Sequence, residues 1–512
     1  MPPSSYTARP SRWIQAVDPA VWAFLSFACI LVAAKWMLIH AYGNVTPYWD
    51  QWDAEADRLY APYVAGTLHW MSLLAPHNEH HILTTRLFAL GLFIVNGQWN
   101  PLLQMAVNAI LHAVTLVYLL SLLRRAVPHI AGIPALAVVL AVFCIPYAWE
   151  NTLAGFQAQF YFNLLFSFAG MWFLVTETAF SRRWWLGIAM AVLAYLSLAS
   201  GIFTVLAAAA VLLLRELRHG ALRGKTGLAV TVLLLLFVVG YVLTPVIPNH
   251  AFMKATSFGQ FLEALLQSLS WPYKARVIWP LLLNLPGLLF AFLILRTPRD
   301  RVLAVEWFIL ALLAWSVGQA AVTAYGRAIA VLAPRYFDLL AIGILANFAC
   351  LLWLCDRALM SRQRLMKIAA LGAWLCIVTI GFVKAWPLLV SELDYKRQIG
   401  VAEETNVRNF LRTGDRTAIE GKPFLETPYP NADRLMHLLS DPGIRRILPA
   451  VILPAGDPDR IEGRFDHAVD ELLAHAYILL IVGAACAVIS VMGSRADAGI
   501  ERRGKYKQEM HE

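Results

Sequence analysis

The chain has 512 residues, of which 59% are hydrophobic and 15% charged, with 18 Trp, 26 Phe and a mean hydropathy of +0.60. Soluble domains carry about 25% charged residues, so this composition excludes a soluble enzyme, a coiled coil, a disordered chain and a solenoid. The formal net charge of +9 would suggest nucleic acid in a soluble protein. Here the basic residues cluster in short loops between apolar runs, where they report topology, and no nucleic-acid partner is expected.

In chain order, Arg9 and Arg12 precede an apolar run from Val21 to about Tyr42. It is longer than a signal-peptide core and no small-x-small site follows it, so it reads as a retained first span. Further spans are expected at 101–123, 130–147, 159–177, 184–199, 201–214, 226–247, 277–295, 302–323, 336–355, 367–388 and 474–492. Each is close to the roughly 20 residues that cross a hydrocarbon core, the pair 184–199 and 201–214 being the shortest. The fold class is therefore an all-α polytopic membrane protein with about 12 transmembrane helices. The six cysteines all lie in apolar runs and form neither a disulfide framework nor a metal spacing.

The apolar stretch 82–96 sets the orientation of everything after it. If it does not cross, 22 basic residues fall on the side of the N-terminus and seven in the short loops of the other side: Arg58, Arg86, Lys254, Lys274, Arg276, Arg327 and Arg335. If it crosses, the later clusters move outside. The positive-inside bias selects the first case. This predicts a juxtamembrane helix at 82–96 on the outer side, cytoplasmic termini and a multi-pass protein of a bacterial inner membrane. The expected divisions are a transmembrane bundle over 1–388, including a first outer loop at 42–100; a small extracytoplasmic subdomain over 389–473, with a helix cap at Asn431; and a last span with a basic tail over 474–512.

Chemistry concentrates on the outer side. The first loop opens with Tyr48-Trp49-Asp50-Gln51-Trp52-Asp53-Ala54-Glu55. A carboxylate just beyond a span can serve as a general base or metal ligand, and Asp50 and Asp53, three residues apart, share a face if the segment is helical. An interfacial amphipathic helix with solvated acids is the alternative. His77-Asn78-Glu79-His80-His81 follows. It has ligand types for a divalent metal, with His77 and His80 beside Asp50 and Asp53 as the candidate set, but it matches no zinc signature; a polar site without metal, binding phosphate or sugar by hydrogen bonds, is the leading reading, and a solvated loop is the other alternative.

Glu150, Asn151 and Gln157 stand among Trp149 and Phe156, a mixture of amides and rings suited to sugars as well as to an ordinary interfacial loop. Arg327, Arg335 and Tyr336 stand on the outer side against the general trend. Guanidinium groups there suit a lipid phosphate, or snorkel to headgroups. Together these groups fit an outer-facing site for transfer of a sugar from a polyprenyl-phosphate carrier to a glycan or lipid acceptor.

The layout resembles the GT-C superfamily of integral-membrane glycosyltransferases: a first span, a large first outer loop with acids soon after it, a juxtamembrane helix, many further spans and a C-terminal extracytoplasmic segment. Tyr48 to Asp53, His77 to His81, Trp149 to Asn151, Gly155 to Gln157, and Tyr429-Pro430 through Ile447-Leu448-Pro449 are similar to uncharacterised bacterial proteins of this type. The resemblance implies a lipid-linked sugar donor and an essential acid in the first outer loop, at Asp50 or Asp53. It leaves a divalent metal open. Glu79, His80, Glu150, Asn151, Gln157, Arg327, Arg335 and Tyr336 are the expected substrate contacts. The rivals are a transporter or flippase for a lipid-linked saccharide, which should carry ionisable residues near the midplane, and a polysaccharide polymerase or assembly component.

Overall fold

The computed structural model describes residues 17–218, 224–357 and 361–509; Arg9 and Arg12, used above for topology, lie outside them. The protein is an all-α polytopic membrane protein. Among the described residues, eleven helices are long and apolar enough to cross a membrane.

The first, α1 (Pro19–Tyr42), starts at Asp18, whose side chain accepts a hydrogen bond from the Ala20 amide while Pro19 fills a position that needs no donor. The next long α-helix, α2 (Leu83–Asn96), has 14 residues. Its two ends stay on one face of the bundle. Thr84 donates to Ser197 at 2.8 Å, and the Asn96 carbonyl accepts from the Arg464 amide at 2.8 Å. Both partners belong to the face where α1 ends, as expected of a segment that does not cross.

The bundle continues with α3 (Pro101–Leu123), α4 (Ile133–Cys144), α5 (Ala158–Thr176), α6 (Arg182–Tyr195), α7 (Phe203–Leu217), α8 (Gly224–Leu243), the amphipathic α9 (Phe258–Ser270), α10 (Ile278–Arg296), α11 (Ala304–Gly326) and α12 (Phe337–Asp356). The region expected to span at 184–199 holds α6, which at 14 residues falls short of the usual length and is not among the eleven. It begins beside Arg182 and Arg183 and ends at Tyr195, whose ring stands 5.6 Å from that of His81.

A difference from expectation lies at residue 388. The helix α13 (Ser361–Thr413) passes through that position unbroken, despite Pro387, and rises out of the bundle as one rod. The segment that follows therefore hangs from a continuous helix. It contains α14 (Ala432–Ser440), capped by Asn431, whose side chain accepts from the Arg434 amide at 2.9 Å, and α15 (Asp466–Ala474). The chain returns through α16 (Tyr477–Glu509), packed along α1, where a side chain at Gly483 would meet Ile30 at 2.6 Å.

One large apolar cluster fills the bundle. A second, around Trp52, Tyr60, Trp99, Val407, Leu435 and Leu448, glues the first loop to the C-terminal segment. Thus residues 43–100 and 414–476 form a single cap over the end of the bundle where α1 terminates.

Candidate functional site beneath the cap

The first loop turns sharply at Trp49. Its φ of +49° is unusual for a bulky residue and marks stored strain. The Trp49 amide donates to the Pro428 carbonyl at 2.7 Å, and its ring packs edge-on against Phe424. The cap thus dictates the turn. From there Gln51–Tyr60 winds as a π-helix. Bonding to the fifth residue widens the turn, so positions three apart no longer superimpose.

The two acids consequently part company. Asp50 points at the hairpin Pro76–His77/His80–His81, whose two-residue turn begins at Asn78 with φ +50°. His77 Nε2 lies 3.0 Å from Asp50 Oδ1, and Asn78 Nδ2 donates to the same oxygen at 3.4 Å. Asp53 points instead into the cap, accepting from Tyr429 Oη and from Arg434 Nη2 at 3.0 Å, while Asp57 takes the same guanidinium at 2.7 Å.

Around Asp50 stand Tyr48, His80, Glu150 and Arg335, each close enough for its charge or ring to act on its neighbours. Arg335 Nε lies 3.6 Å from Glu150 Oε2. Protein surrounds Asp50 closely enough to disfavour its charge, yet 42% of its side-chain surface stays accessible. Burial pushes its carboxyl upward, but the close approach of His77, with the charges of Arg335 and His80, outweighs this and holds it below the usual range. Asp50 is therefore ionised at neutral pH. His80 is held down to about 4, first by burial and then by Arg327 and His77, against Glu79 and Asp50. It is neutral at that pH.

The other expected contacts divide into two groups. Glu79 accepts from Arg327 Nη2 at 2.9 Å and pairs with His250 Nδ1 at 2.7 Å. Burial opposes its charge, but these two partners bring it down to about 2. Arg327 is thereby committed to Glu79, and only Arg335 remains beside Asp50. Asn151 is fully buried and donates to the Arg335 carbonyl and to Asp338 Oδ2, both at 2.9 Å; it holds the frame. Gln157 accepts from Gln159 at 3.1 Å. Tyr336 lies under the Arg335 guanidinium, 5.7 Å from charge to ring centre. Among the described residues no three His, Cys, Asp or Glu side chains converge as a metal site. Asp50 meets one imidazole, and Asp53 is turned away, so the expected set of Asp50, Asp53, His77 and His80 does not assemble.

Two groups were not singled out in the sequence. Glu55, almost fully buried, accepts from Gln51 Nε2 and Gln104 Nε2, each at 3.0 Å; Gln51 in turn accepts from the Tyr48 amide at 3.1 Å. This network props the turn that carries Asp50 from behind. Burial pushes Glu55 up to about 7, with the two amides pulling the other way. Lys396, from α13, stands 3.8 Å over the Tyr48 ring and 3.5 Å from Glu403.

Below the site the bundle holds a polar knot. Lys35 donates to Thr152 at 2.8 Å and to Tyr161 at 3.4 Å, and a cavity of about 10 Å³ is lined by both Lys35 and Asp338. His112 stacks on Tyr161 and stands 3.9 Å from Asp338, with neither ring nitrogen hydrogen-bonded. His112 is thus a fully buried histidine with both ring nitrogens unsatisfied. No family model, no curated protein and no solved structure matches this chain.

Proposed function

We propose that the protein is a glycosyltransferase of the GT-C type, taking a sugar from a polyprenyl-phosphate donor on the periplasmic face of a bacterial inner membrane, in modification of cell-envelope glycans. The observation that carries this reading is the meeting of Asp50, His77, Glu150 and Arg335, from three distant parts of the chain, at one accessible place under the cap. In this reading α6 counts as the twelfth pass, and both termini face the cytoplasm.

The chemistry follows from the groups present. Asp50 takes the proton of an acceptor hydroxyl while that oxygen bonds to the anomeric carbon. The bond from that carbon to the phosphate oxygen breaks, and its electron pair leaves with the lipid phosphate. The Arg335 guanidinium offsets the charge that develops there. His77 fixes the direction of the Asp50 oxygen, and neutral His80 offers a hydrogen bond without competing for it. Asp53 acts on the cap, and Arg327 acts on Glu79. No step is routed through a metal.

Asp50→Asn should lower transfer from a polyprenyl-phosphate sugar by about 10²-fold or more, the usual weight of a positioned base, with the folded fraction unchanged in detergent. Asp53→Asn should keep measurable transfer. Full activity in Asp50→Asn removes the reading. The knot of Lys35, His112 and Asp338 favours a second one: ionisable groups from three helices inside the bundle suit a transporter or flippase of a lipid-linked saccharide. That alternative predicts movement of the lipid-linked saccharide between leaflets in vesicles, undiminished by Asp50→Asn and abolished by Asp338→Asn.

A further inference from the structure

Residues 61–75 of the first loop, Ala-Pro-Tyr-Val-Ala-Gly-Thr-Leu-His-Trp-Met-Ser-Leu-Leu-Ala, contain no acidic residue, lysine or arginine. In a loop outside the membrane this is odd. The segment nevertheless displays its apolar side chains: Trp70 is 66% exposed, and Tyr63, Val64 and Met71 are exposed beside it. Contiguous apolar surface of this kind marks a binding face.

Its backbone is unusually well paired for a surface loop. The Thr67 and Leu68 amides both reach the Pro62 carbonyl, at 2.9 and 3.1 Å, and the Ala65, Gly66, Ser72, Leu74 and Ala75 amides bond within the segment. On the acceptor side, Arg86, itself 2% exposed, spends Nη1 on the carbonyls of Ser72, at 3.2 Å, Leu73, at 3.1 Å, and Ala75. His81 adds a contact to the Leu74 carbonyl at 3.0 Å. Water would solvate such carbonyls without help. Hydrocarbon would not, and there the pairing must come from the protein.

The height of the segment is set by α2. Arg86 and His81 tie the segment to the start of that helix, and the rings of Tyr60 and Tyr63 pack on Phe93 further along it. At its start α2 is bonded to Ser197, just past the end of α6, and Phe88 packs on Phe162 in the first turns of α5. The segment therefore lies level with the ends of membrane-crossing helices. Its exposed face continues through Leu87, Ile94 and Val95 of α2 into the lipid-facing belt of the bundle, where Val192 of α6 is also exposed.

We propose that residues 61–75 form a wing seated in the bilayer leaflet on the side of the cap, with Trp70 and Met71 inserted among the lipids and Arg86 acting as its internal carbonyl clamp. The occupant of this surface is lipid, and the inference depends only on the protein being membrane-spanning.

The test is a nitroxide on Met71→Cys, with Lys422→Cys on the exposed cap as reference, in phosphatidylcholine nanodiscs; the chain without an added cysteine supplies the background from Cys376 and the other native thiols. Collisions with dissolved oxygen should dominate at position 71 and collisions with a water-soluble nickel chelate at position 422, the ratio differing several-fold. Equal nickel accessibility at the two positions overturns the proposal. A second measurement needs no introduced thiol. Brominated lipids should quench the unmodified chain more than Trp70→Phe, and equal quenching again counts against the wing.

Discussion

Removing the Arg434 guanidinium should open the cap without touching the chemistry at Asp50. Arg434 is the junction between the first loop and α14: Nη2 donates to Asp53 at 3.0 Å and to Asp57 at 2.7 Å, and Nε reaches Asp53 at 3.3 Å. These are charge-assisted bonds, each worth about 1.5–3 kcal/mol when well buried. All three side chains are partly exposed, between 20% and 36%, so solvent screens the pairs and exposed examples contribute well under 1 kcal/mol. Arg434→Ala also leaves two carboxylates near one another with Tyr429 as the remaining donor. A cost of about 1–3 kcal/mol follows, or roughly 5–150-fold in the equilibrium between docked and undocked cap. Limited proteolysis reads this directly, because the segment between α13 and α14 becomes cleavable in proportion to the undocked population. Arg434→Lys should recover part of the loss, since one ammonium cannot serve both acids in fork geometry. Cleavage of Arg434→Ala at the rate of the unmodified chain would refute the assignment of Asp53 to the cap and return it to the candidate bases.

Three further outcomes follow. Glu55 is an acid whose value is raised in the folded protein, so its contribution to stability is fully present below the ordinary glutamate range and declines as pH rises to about 7, by at most about 3 kcal/mol; thermal melts in detergent between pH 5 and 8 should show this slope, and Glu55→Gln should flatten it. Lys35→Met removes the buried ammonium that shares a cavity with Asp338, leaving that acid Asn151 as its donor, and should cost about 1–3 kcal/mol, whereas Lys35→Met with Asp338→Asn should recover part of it, read as the melting of size-exclusion profiles; an additive double variant would show the two charges to be independent. With single cysteines, Lys422→Cys should react with an impermeant thiol reagent in intact cells and Thr178→Cys only after lysis, and the reverse pattern would invert the proposed orientation.

The membrane-spanning architecture was legible because its cause is local. Apolar length reads off the chain directly, and the basic residues at 124–125, 182–183, 215–218 and 296–301 do sit together at one end of the bundle, where Arg124 pairs with Asp18 and Arg218 reaches the Thr297 carbonyl. The helix runs on past 388 for an equally physical reason. Hydropathy falls there, but helix propensity does not: Ser391 to Thr413 carries three Glu and three Arg and neither Pro nor a Gly pair, and a helix already nucleated in the membrane propagates into water at little cost.

The site was half legible, and the missing half is non-local. Which of Asp50 and Asp53 faces the opening depends on a π-helical turn and on a strained Trp49, whose amide and ring meet Pro428 and Phe424 some 375 residues further on. No spacing rule within residues 48–55 contains that information; α-helical spacing, the only rule available, puts both acids on one face. The same holds for the arginines. Both stand beneath the cap, but a nearby acid decides what each is free to do: Glu79 holds Arg327 at hydrogen-bond distance, while Glu150 stands 3.6 Å from Arg335 and leaves its Nε without a hydrogen bond. Charge type could therefore nominate four groups, and only the contacts across the fold reduce them to one acid and one guanidinium in reach of each other. If sugar transfer is the activity, Arg335→Gln should impair it far more than Arg327→Gln, whose main effect should fall on the hold of Glu79 over His250 and the 248–276 segment. Equal losses in the two variants would mean that the arginines still act as a pair, and that Glu79 releases Arg327 when substrate binds.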